Sequence, residues 1–283
     1  MAKRKIAILT DSTAYLPDEL LAEYDIHVIP LIVNWSGESY RDNVDISPET
    51  FYERLTIEKE LPTTSQPSAG QFKEFFEKLS KDYEGIAAIL LSSDLSGTVA
   101  SALAAKEMMK DYPIEVVDSR VTTMALGLCA LEAAKAADSG KGIKEIASVA
   151  RRVGEAQKVM FIVDTLEFLH KGGRIGGAQR FLGSVLAIKP LLQLLDGKIQ
   201  PLESVRTKKK AISTMLTILE EDMAGKDNIQ VTVFHGVADD EAQMVHDQIA
   251  AAISPKTLIL AKLSPVIGVH TGPGTIGISY YAE

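Results

Sequence analysis

Side chains that can hold an anion gather at four points of this chain: Asp11-Ser12-Thr13, Thr63-Thr64-Ser65-Gln66-Pro67-Ser68, Ser92-Ser93-Asp94-Leu95-Ser96-Gly97-Thr98 and His270-Thr271-Gly272-Pro273-Gly274. Hydroxyls and Asp ahead of a helix are ordinary N-caps, each contributing about 1 kcal/mol. The third cluster exceeds that need, because one cap does not require four hydroxyls and a glycine. At a helix start, Ser96-Gly97-Thr98 offers free backbone N–H groups, the positive end of a dipole and two hydroxyls, which together suit a phosphate or a carboxylate. The chain has neither the glycine–lysine spacing of a P-loop nor a GxGxxG, which argues against a nucleotide. A hydrolase or small-molecule phosphotransferase would use Ser96 as nucleophile and His270 as base, with Asp11 nearby. The strained elbow of such hydrolases needs glycine at positions 94 and 98, where this chain has Asp94 and Thr98. The five histidines, at 27, 170, 235, 246 and 270, have no metal-ligand spacing between them, so no metal or cofactor is expected.

Strands and helices must place these clusters. Lys5–Leu9 reads as a buried strand ending at the first cluster, and Pro17 suits the first turn of a helix over 17–23. The run Ile26–Val33 is strand-like, with Pro30 pushing it toward an edge or a bulge. Phe72, Phe75, Phe76 and Leu79 recur at i, i+3, i+4 and i+7, which predicts a helix with one buried face. Gly85–Leu91 reads as a central strand, Ser96–Met109 as a helix, Ile114–Val117 as a short strand, and 121–138 and 142–155 as Ala-rich helices. Such alternation predicts a largely parallel sheet with flanking helices.

The second half departs from that rhythm. A strand over 159–163 and a short helix ending at Gly172-Gly173 precede a helix over 177–187. Asp196-Gly197 between alternating residues then signals a two-residue hairpin. Helices near 207–223 and 239–252 and strands near 229–234, 257–263 and 276–281 complete a mixed α/β sheet. The expected class is α/β in two domains, residues 1–156 and 157–283.

Bulk properties narrow the function. At 283 residues, 46% apolar and 24% charged, the chain can build a sizeable core. A net charge of −8 with only 6% aromatic residues disfavours nucleic acid. Cys129, the one cysteine, lies in an apolar run and reads as a buried hydrophobe. The apolar run before Asp11 is four residues long, Ile6–Leu9, too short for a signal-peptide core, and no stretch approaches the roughly 18 apolar residues of a membrane span. A cytoplasmic location is the expectation.

Taken in order, DSTAYLP at 11–17, TTSQPS at 63–68, SSDLSGT at 92–98, VDS at 117–119, DTLEFLHKGGRIG at 164–176, KP at 189–190, VRTKKKA at 205–211 and GVHTGPG at 268–274 resemble the DegV family of fatty-acid-binding proteins, which includes the lipid-carrying subunit of bacterial fatty acid kinase. The resemblance implies two α/β domains with an acyl chain between or beneath them. It implies a long-chain fatty acid whose carboxylate is held by Thr64 or Ser65, by Ser96 with the Gly97 N–H, and by His270, which either donates to the carboxylate or caps the glycine-rich loop. A partner ATP-dependent acyl kinase would phosphorylate the bound carboxylate for phospholipid synthesis, so the chain itself would be no enzyme. Arg174 and Arg206 are then candidates for contact with that kinase or its phosphates, or else solvated surface charge. Lys208-Lys209-Lys210 reads as a solvated helix face or a transient contact with anionic membrane lipid. Many relatives carry glycine at position 94 and an aromatic at 99. Asp94, beside the proposed anion site, is therefore expected to face solvent, and Val99 to reshape packing.

Overall fold

The computed structural model describes residues 5–181 and 189–282. Strand β1 (Ile6–Asp11), β2 (Ile26–Ile29), β6 (Gly85–Leu90) and β7 (Ile114–Asp118) form an all-parallel sheet in the order β2-β1-β6-β7. The side chains alternate across it as a period of two demands. Ala7 and Leu9 of β1 pack with Ile86, Ala88 and Leu90 of β6 against helices α3 (Ala69–Leu79) and α4 (Thr98–Glu107). Ile8, Ala87 and Ile89 face the other way, toward α5 (Thr123–Asp138) and α6 (Ile143–Ala156). Because both faces are covered, β6 is buried along its whole length, which explains its unbroken apolar run.

The second sheet has the order β10-β9-β8-β13-β11-β12, from β8 (Lys158–Ile162), β9 (Lys189–Leu195), β10 (Lys198–Val205), β11 (Gln230–Gly236), β12 (Thr257–Lys262) and β13 (Thr275–Tyr281). Only β11–β12 is parallel; the other neighbours are antiparallel. Helices α8 (Lys208–Met223) and α9 (Asp239–Ile253) cover its outer face, while Val159 and Phe161 of β8 turn inward. Helix α5 therefore lies between the two sheets and is buried nearly all round, as its apolar composition requires. Asp196-Gly197 makes the expected hairpin turn, both residues having positive φ (49° and 77°), the geometry that matches strand twist.

Three expectations are corrected. Ile26–Val33 is two strands, since Pro30 ends β2 and the chain re-enters β3 (Ile32–Trp35) in a separate antiparallel sheet of order β4-β3-β5, with β4 (Glu38–Arg41) and β5 (Thr63–Ser65). His270 lies in helix α10 (Pro265–Thr271), not in a glycine-rich loop. The helix expected over 177–187 is a 3-10 turn over Gly176–Phe181, and its remainder lies outside the described residues. Helices α1 (Asp18–Glu23), α2 (Pro48–Ile57) and α7 (Glu167–Lys171) complete the set among the described residues.

A buried carboxylate joins these parts. Asp42, just after β4, accepts from Ser12 Oγ at 2.7 Å and from the Val266 N–H of α10 at 3.2 Å. Its own N–H donates to Leu31 O, and Leu31 N–H donates to Ser12 Oγ at 3.0 Å. Burial pushes the Asp42 carboxyl up to about 7 despite these bonds and one from Ser264, and the neighbouring Asp11 adds to the rise. Burial likewise lifts Asp11 to about 6.

A folded-state value above the unfolded 3.8 means that the folded chain binds the extra proton. The stability contributed is complete below about pH 4 and is lost as pH rises through about 7. Urea unfolding between pH 4.5 and 7.5 is expected to show stability falling by about 2–4 kcal/mol in the wild type and by clearly less in Asp42→Asn. An identical slope in both would contradict this assignment.

Candidate functional site

The site forms where β5, α10 and the segment after β6 converge on the space between the sheets. In β5, Thr64 pairs in register with Val33, so it shares the buried face of β3 with Trp35. Its Oγ1 lies 2.8 Å from His270 Nε2. Ser65 takes the opposite face, where its Oγ accepts from Asn34 Nδ2 at 3.2 Å.

Helix α10 delivers His270. Ser264 caps it, accepting from Ile267 N–H, and Pro265 occupies the first turn, where a missing N–H costs nothing. Gly268 brings the helix close to α2: a Cβ there would stand 2.6 Å from Phe51 Cε1 and 2.8 Å from Tyr52 Oη. Burial, with a smaller contribution from the Arg174 charge, pulls the imidazole down to about 4, so it is neutral near pH 7. Nδ1 is buried without a hydrogen-bond partner among the described residues. Orphaned buried N–H groups are rarer than orphaned acceptors, which favours the proton on Nε2, donated toward Thr64. The Thr64 hydroxyl then keeps its own proton for another acceptor.

Ser96 lies one residue before Gly97, the N-cap of α4. Its Oγ accepts from Thr98 N–H at 3.3 Å and lies 2.9 Å from Thr98 Oγ1. Gly97 faces the Gln66 side-chain amide and does not line the cavity described below. Ser96 and His270 thus have different partners, and Asp11 is engaged with Thr13 and Leu91 N–H. That is not the hydrogen-bonded chain a Ser–His hydrolase uses.

Asp94 is exposed and ion-paired with Arg120 and Lys198, away from the site. Arg174 is half-buried at the cavity wall, donating to Leu95 O at 3.0 Å and Gly172 O at 2.6 Å. Arg206 is exposed at the end of β10 and is not part of that wall. Lys208 bonds Glu241 at 2.6 Å, leaving Lys209 and Lys210 exposed.

Thr64, Ser65, Ser96, Arg174 and His270 border one cavity, enclosing about 810 Å³ of space free of protein atoms, counting the part open to solvent. Much of the remaining wall is apolar, with Val159, Phe161, Leu194, Ile199, Phe234 and Leu263 among its residues. The β9–β10 hairpin supplies Leu194 and Ile199. Its tip is tied to the first sheet by Ser92 Oγ to Gly197 O at 2.9 Å and by Arg120 to Asp196 O. A wall that is largely apolar with polar groups at its border matches a ligand with an apolar body and a polar end. Among the described residues no group of three or more His, Cys, Asp or Glu could hold a metal ion, and no helix is long and apolar enough to cross a membrane.

A family model described as "Uncharacterised protein, DegV family" matches residues 5–283. The chain belongs to the DegV family. A DegV domain-containing protein of Clostridium perfringens is 39% identical over 282 residues, covering 98% of this chain and 99% of the relative. Among solved structures, a fatty-acid-binding DegV family protein of Thermus thermophilus is 32% identical with a TM-score of 0.93, covering 99% of this chain and 100% of its own. DegV of Bacillus subtilis, described as a fatty acid binding protein, is 35% identical with a TM-score of 0.92 and the same two coverages. The two-sheet α/β architecture is thus that of solved DegV structures.

One positioning residue escaped the sequence reading. Gly172 presents its bare Cα to the imidazole, and a Cβ there would overlap His270 Nδ1 while standing 3.0 Å from Phe168 O. The HKGGRIG run held this glycine, but nothing in its spacing pointed to residue 270. In ligand-free Gly172→Ala the ring should leave Thr64 and gain solvent. An NMR titration should then move the His270 midpoint from about 4 toward its ordinary 6.5. An unchanged midpoint would show that the glycine does not position the ring.

Proposed function

We propose that this chain is a carrier that binds one long-chain fatty acid between its two sheets and presents the carboxylate to a partner acyl kinase in the cytoplasm. The observation that carries the reading is the cavity itself, with apolar walls along most of its extent and Thr64, Ser96 and neutral His270 at one region of its border. The fatty-acid binding of the Thermus and Bacillus relatives supports it. On this reading residues 1–156 and 157–283 act as two domains that enclose the acyl chain. Thr64 is the strand residue given the carboxylate contact, because Ser65 is engaged with Asn34.

The energetics are consistent with a carrier. Burying about fourteen methylenes at ~0.8 kcal/mol each gives about 11 kcal/mol gross. Association and ordering remove about 4 kcal/mol or more, leaving an affinity near the micromolar range without help from the carboxylate. The polar groups then serve mainly to orient. Hydroxyls and a neutral imidazole solvate the anion without the desolvation cost of a buried ion pair, and they leave a carboxylate oxygen available for transfer chemistry. Arg174, held at the wall by two carbonyls, is placed for phosphate or partner contact, and exposed Lys209 and Lys210 suit a brief encounter with anionic lipid.

Native mass spectrometry of the purified protein should show a retained species of fatty-acid mass. Thr64→Val and Ser96→Ala should each weaken palmitate binding about tenfold, as loss of a hydrogen bond to a charged group does. Acyl phosphate should form only when ATP and a separate kinase are both added. Failure to bind palmitate, or turnover of an ester or phosphate substrate by the chain alone, would sink the carrier reading.

A further inference from the structure

The cavity wall contains a second polar element, remote in sequence from the groups above. Thr122 and Thr123 begin α5 and both line the cavity. They lie where the chain, after leaving β7, crosses the carboxyl ends of the first sheet. Val121 O accepts from Ser92 N–H beyond β6, and Thr122 reaches Thr13 beyond β1. This is the switch point of the parallel sheet, the crevice where open α/β sheets bind ligands.

The proton of Thr122 is already committed. Its hydroxyl donates to Thr13 Oγ1 at 3.1 Å, and Thr13 donates to Asp11 at 2.6 Å. Thr122 makes no side-chain bond to the helix it precedes, so no cap covers the first turn of this 16-residue helix. Thr123 differs. It is only 6% exposed, and its Oγ1 is buried with no hydrogen-bond partner among the described residues. It also has φ of 60°, an unfavourable conformation for a β-branched residue.

We infer that the first turn of α5 is a further binding element for the ligand's carboxylate, with the Thr123 hydroxyl as its side-chain donor. The inference rests on the fatty-acid reading above and adds a group to its site. A carboxylate is the ligand class that fits. The helix dipole presents positive potential to the cavity, and an uncharged methylene beside Thr123 would leave the hydroxyl unpaired. With His270 neutral, this dipole adds to Arg174 as a source of positive potential at the wall.

The test compares palmitic acid with hexadecanol, using wild type, Thr123→Val, Thr123→Ser and Thr123→Ala. Thr123→Val keeps the shape and loses the donor. Its affinity for palmitate should fall about tenfold, with hexadecanol affinity changed less than about twofold. Thr123→Ser should restore palmitate binding. Thr123→Ala removes the hydroxyl with less backbone strain and serves if the valine variant folds poorly. Wild-type palmitate affinity in the Val and Ala variants would overturn the inference, as would an equal loss for acid and alcohol, which would indicate packing alone. If wild type binds neither compound, the carrier reading fails and this inference with it. If wild type binds both and only the Thr123 comparison fails, the carrier reading stands.

Discussion

Asp42 is a buried carboxylate at which separate pieces of chain point their donors. Ser12 comes from the end of the first strand, Val266 and Ser264 come from the start of α10, and Asp42 itself closes the small three-stranded sheet. Leaving any of these groups unpaired in the interior costs about 1–3 kcal/mol, more for a charged one, so each segment is held by the requirements of the others. The placement of α10 follows from that arrangement, and with it the placement of His270. The same carboxylate carries a cost, since its ionised form is poorly tolerated where it sits. The fold accepts a pH-sensitive joint in return for fixing the helix that bears the imidazole.

The layers explain why a cavity exists at all. Helix α5 is sandwiched between two sheets, and its N-terminal end stops at the cavity wall. Beyond that end the space is bounded by side chains from the second sheet, from β5 of the small sheet, from the segment after β6 and from α10. Their apolar surfaces do not close on one another, and the hairpin β9–β10 covers one flank. Many of the polar groups sit near the ends of elements: Thr64 in β5, Ser96 and Thr123 at helix starts and His270 near a helix end. An interior of this kind offers few polar partners, so they set the orientation of whatever lies along its apolar surface.

Much of this was legible in the sequence. Apolar runs, the Phe72–Leu79 periodicity and Ala-rich stretches placed strands of both larger sheets and six of the long helices, and Asp196-Gly197 announced its hairpin. The misses have physical causes. Helices α2 and α10 both open with Ser-Pro, a valid start signal, but α10 carries Gly268 and ends in Gly-Pro-Gly, which read as loop. That glycine is needed because Phe51 and Tyr52 approach too closely for a Cβ. Strand β5 is three residues long and gives no periodic signal. Among candidate site residues, Thr64, Ser65, Ser96, Arg174 and His270 do border one cavity, whereas Gly97 and Arg206 do not. Gly172 and Thr123 were out of reach, because their roles depend on which distant groups the fold sets against them.

Thr64 and His270 are 206 positions apart in the chain, yet their side chains are in hydrogen-bond contact. Contacts of such sequence separation form late, since the entropy of closing so long a loop must be met before they contribute. A chain whose first half has folded alone lacks the apolar wall that the second sheet supplies, and one lacking α10 has no imidazole at the cavity border. A ligand gripped there recognises only the finished molecule and draws the folding equilibrium toward it by mass action. Occupancy of the cavity is, in effect, a certificate that both halves of the chain have reached their final arrangement.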